Sequence, residues 1–200
     1  MSPFVTNAFT EDFFLGFRNV IDRIDPEEVR DVVRQLQEMH GRLFILGVGG
    51  SAANASHAVN DFRKLCRIQA YAPTDNVSEL TARTNDEGWE NVFVPWLSTN
   101  LFGRQDALLI LSVGGGDREK NISVNLIKAI DYAKDACGTV LGIVGRKGYT
   151  YEHANACILV PESTPEMTTP YAEAMQSVIL HLLVSHPSLK QEKTKWEGLI

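Results

Sequence analysis

From residue 43 onward the chain alternates short apolar runs with longer stretches of helical period. The runs at 43–47, 68–72, 107–112, 139–144 and 156–160 are dominated by aliphatic residues. Uninterrupted apolar runs mark strands buried on both faces, and strands that alternate with helices mark a parallel sheet covered on both sides. The expected fold is α/β, a five-stranded parallel sheet flanked by helices in a doubly wound, flavodoxin-like arrangement. Ahead of the sheet the pattern predicts two amphipathic helices, at 10–23 and 25–39. The second opens with Asp25 as cap, Pro26 at its first position and Glu27 and Glu28 in its first turn, which satisfies free N–H groups and complements the helix dipole. In the first, Phe13, Phe14, Phe17, Val20 and Ile21 form an apolar stripe that a lone helix does not bury. It packs either within the chain or on another subunit. The expected organisation is a helical pair over 1–40 that makes oligomer contacts, a sheet domain over 41–189 that includes it in one unit, and a charged surface tail over 190–200.

The segment LFILGVGGSAANASHAVNDF, residues 43–62, carries the most chemical information. A strand runs into a glycine turn and then into a helix at Ser51. Gly47, Gly49 and Gly50 let the backbone approach a ligand, and the N–H groups and positive dipole end of the helix favour a phosphate or carboxylate. Along that helix Ala55, Ala58, Val59, Phe62 and Leu65 share one side, while Asn54, His57, Asp61 and Lys64 recur on another. His57 and Asp61 stand one turn apart, the spacing at which two side chains share a metal ion or a proton. The same polar stripe also suits a plain solvated helix face. Two more turns, at 112–116 and 145–148, follow strands, so three loops are expected to meet at the carboxyl edge of the sheet, where such folds bind ligands.

Composition narrows the setting. Two hundred residues, 44% of them hydrophobic, suffice for one packed domain. A net charge of −6 argues against direct nucleic-acid binding, which calls for a clustered basic face; a phosphate would be held locally, by backbone and hydroxyl groups. Cys66, Cys137 and Cys157 form no CxxC pair, which suits a reducing compartment. The opening MSPFVTNAFTEDFF has neither a basic start nor a long apolar run, so no signal peptide or membrane span is expected and the cytoplasm is the expected location.

These residues resemble the sugar isomerase (SIS) domain and, within it, the phosphoheptose isomerase group. The likeness rests on GVGGSAANASHAVNDF, on DNVSELTARTNDEGWENVF from residue 75, on LLILSVGGG from residue 108 and on AEAMQSVILHLL from residue 172. It implies a homotetramer with active sites between subunits, acting on a phosphorylated sugar. Sedoheptulose 7-phosphate would be converted to heptose 7-phosphate through an enediol, which needs a positioned base and an electrophile. In many members zinc is that electrophile; no nucleotide or flavin is expected. The resemblance gives His57 as the first metal ligand, Asp61 in place of a glutamate that is both ligand and base, and Gln176 as a glutamine ligand. Asn85 and Asp86 match a substrate-contacting pair, and Ser51, Ser112 and Ser123 match pocket hydroxyls, with Gly49, Gly50 and Gly114 in the anion-binding turns.

Several positions depart from the family pattern. The final metal ligand and acid–base histidine, eight residues beyond the glutamine, is here Val184. His181 lies five residues beyond Gln176, about 140° around an α-helix, and is therefore expected to face elsewhere as a packed or inter-subunit histidine. Glu173, one turn before Gln176, offers a second carboxylate. The turn SVGGGDREKNIS is lengthened at 116–122 and exchanges hydroxyls for glycines, leaving Arg118 or Lys120 to neutralise a bound anion. Val48 replaces a family asparagine. Without the final histidine a zinc site on His57, Asp61 and Gln176 is weak, because an amide oxygen is a poorer ligand than imidazole. The competing expectation is a non-catalytic sugar-phosphate sensor or scaffold, similar to the DnaA initiator-associating protein, which shares the SAANA-type helix start. Another reaction class within the SIS fold is a third.

Overall fold

The computed structural model describes residues 3–194. Five parallel strands, β1 (Leu43–Leu46), β2 (Ala70–Tyr71), β3 (Ala107–Ser112), β4 (Thr139–Val144) and β5 (Ala156–Leu159), form one sheet in the order β2-β1-β3-β4-β5. This is the flavodoxin-like order, as expected. β3 and β4 have the expected bounds, whereas β2 pairs over only two residues. Arg67 before it is left-handed, at φ 55°, and Pro73 after it opens a 3-10 turn, so the chain enters and leaves the edge too sharply for a longer ladder.

The period of two along each strand splits the core. Leu43, Ile45, Leu109 and Leu111 face a cluster shared with α2 (Pro26–Glu38), α3 (Gly50–Cys66) and α8 (Thr168–Ser185). Phe44, Leu46, Leu108 and Ile110 face a second cluster shared with α5 (Phe93–Thr99) and α6 (Val124–Asp135). Burial on both faces is the reason the strands read as continuous apolar runs.

At the N-terminus of α2 the Asp25 carboxylate accepts from the Glu27 N–H at 2.8 Å, and Pro26 stands at the first position. Its neighbour Glu28 reaches across to β5, accepting from the Leu159 N–H at 2.7 Å and from the Tyr151 hydroxyl at 2.9 Å. Helix α1 (Pro3–Ile21) buries part of its apolar stripe within the chain. Val20 is fully buried, Phe13 and Phe17 pack on Tyr171 of α8, and Phe14 and Ile21 remain exposed. At the other end the chain after α8 folds back. Leu189 is buried, and the N–H groups of Gln191 and Glu192 donate to the Leu65 carbonyl at the end of α3. The start of the expected 190–200 tail is thus anchored, and 195–200 lie outside the described residues.

Candidate functional site

Strands β1 and β3 are neighbours whose following helices leave on opposite faces, so the crevice at their carboxyl ends is the place such a sheet offers a ligand. Gly49 takes φ 63° there, and α3 begins without a side-chain cap. A Cβ built on Gly50 would collide with the Glu173 carboxylate, so Gly50 lets the start of α8 lie against the start of α3. Ser51 is buried in the same turn. The loop after β3 closes through Ser112, whose hydroxyl accepts from the Gly115 N–H at 3.0 Å. It is laced to the loop after β4, where the Gly145 N–H donates to the Val113 carbonyl at 3.0 Å and the Thr150 hydroxyl donates to the Gly115 carbonyl at 2.7 Å. Space around Gly114 is open. The three expected loops therefore do meet at one edge.

Farther along α3 a second group assembles. His57 Nε2 lies 3.2 Å from His181 Nε2 and 3.3 Å from Asp61 Oδ2, and His181 Nε2 lies 3.6 Å from the same oxygen. Ligands 2.0–2.1 Å from a tetrahedral metal stand about 3.3–3.4 Å apart, so the triangle has the size of three ligands around one ion. Two imidazoles and a carboxylate are also a donor set that suits zinc. His181 Nδ1 lies 2.9 Å from the Ser177 carbonyl, which can only accept. The neutral ring therefore carries its proton on Nδ1 and its lone pair on Nε2, the arrangement that metal-binding histidines use. The Asp61 side chain is buried, with Oδ1 accepting from the Asn60 amide at 2.9 Å, whereas the two imidazoles are about half exposed. The shallow cleft they line also includes Lys64.

This placement corrects the expectation for His181. Its angle of about 140° from Gln176 holds only for the axis of α8. Gln176 is fully buried in the contact between α8 and α3, while His181 stands at the margin of that contact and reaches across to the rim of α3. Two residues far apart around one helix thus both meet the other. Val184 is in the core. Arg118 and Lys120 are likewise corrected. Asp117 and Ile122 form a small antiparallel bridge, Arg118 pairs with Asp131 at 2.7 Å and lies over the Tyr149 ring, and Lys120 pairs with Asp117 at 3.0 Å. The lengthened loop folds onto α6 and its cations are already engaged. Burial alone would raise the Asp131 carboxyl, but hydrogen bonds from Tyr149 and Arg118 outweigh it and hold that carboxyl below its ordinary range.

The remaining candidates lie apart. Asn85 and Asp86 are exposed on α4 (Val77–Glu87) and hydrogen-bond each other at 2.7 Å. Ser123, left-handed at φ 52°, lines a separate cleft at the start of α6 with Trp89, Asn121, Asn125 and Lys128. Asn125, which sequence reasoning passed over, is buried there with an amide nitrogen that has no hydrogen-bond partner among the described residues. Asn54 was visible only as one member of a polar stripe. It donates to the Glu173 carbonyl at 2.9 Å and to Gln176 Oε1 at 3.2 Å, tying α3 to α8 between the two groups described above.

The chain matches no family model. Among curated relatives it is 32% identical over 163 residues to the phosphoheptose isomerase of Rhodospirillum rubrum, covering 78% of this chain and 80% of that one. It is 29% identical over 189 residues to the phosphoheptose isomerase of Syntrophotalea carbinolica, covering 89% and 91%. It is also 32% identical over 158 residues to the lincomycin biosynthesis protein LmbN of Streptomyces lincolnensis, covering 73% of this chain and 56% of that longer protein. The fold is that of the phosphoheptose isomerase GmhA of Neisseria gonorrhoeae, with a TM-score of 0.74 at 22% identity over 90% of this chain and 94% of that one. The phosphoheptose isomerase of Francisella tularensis gives 0.76 at 19% identity over 92% and 97%. At 32% identity to the Rhodospirillum rubrum enzyme over 78% of this chain and 80% of that one, the chain belongs to the phosphoheptose isomerase family.

Proposed function

We propose that the chain is a sugar-phosphate aldose–ketose isomerase that converts sedoheptulose 7-phosphate to heptose 7-phosphate through an enediol. The observation that carries this reading is the pairing, on one helix, of an anion-accepting start with a triangle of His57, Asp61 and His181. Gly50 and His57 are seven residues apart, about 10 Å of helix, the scale that separates the phosphate of an extended sugar phosphate from its carbonyl end. N–H groups at the start of α3 and in the loop after β3, together with Ser51 and Ser112, hold the phosphate. Asp61 moves the proton between adjacent sugar carbons, while the Glu173 carboxylate lies against Gly50 at the other end, where it shapes the turn. Zinc, if bound by His57, Asp61 and His181, would polarise the sugar carbonyl. The scaffold reading drew its force from Val184, and His181 beside His57 and Asp61 removes that ground.

The surface supports assembly. Val178 and Leu182 flank His181 on α8 and are exposed, as are Phe9, Phe14 and Leu15 on α1. Apolar residues around a site rim favour burial against further copies, in a homotetramer with active sites between subunits. None of Cys66, Cys137 and Cys157 is in a disulfide, and among the described residues no helix is long and apolar enough to cross a membrane, which is compatible with a cytoplasmic enzyme.

The test is incubation with sedoheptulose 7-phosphate in deuterated water, with and without zinc, followed by NMR. Aldose bearing carbon-bound deuterium is expected. Substrate that binds without exchange would sink the isomerase reading.

A further inference from the structure

A second cleft, at the carboxyl ends of β4 and β5, gathers cations from parts of the chain that are far apart in sequence. Arg23 just after α1, Arg146 and Lys147 in the turn after β4, and Glu162 after β5 line it beside Leu159 and Pro161. Its volume is about 580 Å³, the size of a small-molecule site. None of Ser51, Ser112 and Gly114 lines it, so it is separate from the crevice between β1 and β3.

The charges in this cleft are poorly compensated. Three cations meet one carboxylate, an excess of two positive charges on a chain whose net charge is −6. Glu162 pairs with Nε of Arg146, and its backbone carbonyl accepts from the Arg23 guanidinium at 3.1 Å. The other N–H groups of both guanidiniums make no hydrogen bond among the described residues, and neither Arg23 nor Lys147 has a carboxylate partner there. The Lys147 ammonium rests 5.1 Å from the centre of the Tyr151 ring, a contact that leaves its charge in place. Arg118 and Lys120 differ in that each is matched by an aspartate.

The backbone under two of these cations is fixed. The Gly145 N–H donates to the Ser112 and Val113 carbonyls at 3.2 and 3.0 Å, and the Gly148 N–H donates to the Arg146 carbonyl at 2.9 Å. A Cβ on either glycine would collide with the backbone of the loop after β3, so the turn is pressed onto its neighbour and presents Arg146 and Lys147 from a rigid base. On β5 the Leu159 N–H is held by Glu28. A ligand then has only side-chain ends to order, which limits the entropic cost of binding. Guanidinium forks match phosphate oxygens, and an ammonium adds a point charge. No aromatic ring is among the lining residues, so the cleft offers no stacking platform for a nucleobase.

We propose that this cleft is a second anion site, which binds a small molecule carrying two phosphate groups through Arg23, Arg146 and Lys147, with Glu162 as the internal anion that the ligand displaces. The site stands independently of the isomerase reading, since none of its residues belongs to the crevice or to the His57–Asp61–His181 triangle.

The experiment titrates the full-length chain with inorganic pyrophosphate by calorimetry, in metal-free buffer at about 50 mM salt to limit screening, after circular dichroism has established that each variant is folded. Arg23→Ala and Lys147→Ala are each expected to weaken binding about three- to tenfold, the worth of one charge-assisted contact at an exposed site. Glu162→Gln removes the competing carboxylate and is expected to tighten binding about threefold. Lys134→Gln, which deletes the same charge at the exposed end of α6, is expected to stay within about twofold. Ser51→Ala is expected to leave intact the component of binding that Arg23→Ala and Lys147→Ala weaken. Inorganic phosphate is expected to bind at least tenfold more weakly than pyrophosphate, through the loss of one charge-assisted contact or more. Absence of pyrophosphate binding in the wild type overturns the proposal, as does a loss in Lys134→Gln equal to that in the cleft variants. A loss in Ser51→Ala with none in Arg23→Ala and Lys147→Ala places the anion at the start of α3 and overturns it too. Weaker binding in Glu162→Gln, or phosphate as tight as pyrophosphate, does the same.

Discussion

Asp61 and Asp106 are buried to the same degree, each 5% exposed, yet their surroundings differ in kind. Asp106 accepts four hydrogen bonds, from the Arg42 backbone N–H at 2.7 Å, from two Arg42 guanidinium nitrogens at 3.2 and 2.8 Å, and from the Gly103 N–H at 3.0 Å. Every oxygen is satisfied by a partner that cannot leave without breaking the fold. Asp61 has one fixed donor, Asn60, and turns its other oxygen toward two half-exposed imidazoles. Burial alone therefore does not identify a functional carboxylate. What separates the two is whether their partners are strong permanent donors or groups that bind protons and metals reversibly.

The sharpest test of this contrast replaces Asp61. Asp61→Asn is expected to lower kcat about 10²- to 10⁴-fold, the usual worth of a positioned acid–base group, with the Tm unchanged or raised. Steady-state kinetics and a thermal melt on the same sample decide it, and a large loss of stability would place Asp61 with Asp106. Next in size, Gly50→Ala forces the Glu173 carboxylate away from the start of α3 and is expected to reduce kcat/KM by about 100-fold, as a small misplacement of bound substrate does. Wild-type turnover in that variant would remove Glu173 from the mechanism.

Asp106→Ala is expected to behave in the opposite sense. Breaking a buried pair with a partly exposed arginine costs about 2–3 kcal/mol after screening, a Tm lower by about 4–12 °C, while the folded fraction keeps its turnover. Acid sharpens the same point. Burial pushes the Asp106 carboxyl up, but Arg42 and the backbone N–H groups outweigh burial and hold it below its ordinary range. Its stabilisation is thus complete above the unfolded value of about 3.9 and is lost as pH falls through the lower folded value. Acid melts of wild type and Asp106→Ala should converge at low pH, and parallel curves would count against this account. The smallest effect is expected from Arg118→Ala. With its guanidinium already on Asp131, KM for the sugar phosphate should change less than about twofold, whereas a large rise in KM would restore Arg118 as a phosphate clamp.

The strands and the layers that cover them were legible because each rests on short-range pattern. The three central runs, β1, β3 and β4, are buried on both faces, and the glycine turn after β1 opens α3 where the sequence places it. His57 and Asp61 were readable as a pair for the same reason, since one helix sets the distance between residues four apart. Asn85 and Asp86, assigned by resemblance, sit on an exposed helix face where the single chain gives them no other site residue to meet.

By itself the sequence determined the doubly wound sheet, the anion-accepting start of α3 and the His57–Asp61 pair, because periodicity and helix spacing are local properties. The tertiary structure decided that His181 closes the triangle, that Asn54 holds Gln176 by its oxygen, and that Arg118 is committed to Asp131. Those contacts depend on where α8 lies across α3 and how a long loop folds onto α6. Such placements arise from packing between elements distant in the chain, and no angle measured around a single helix contains them.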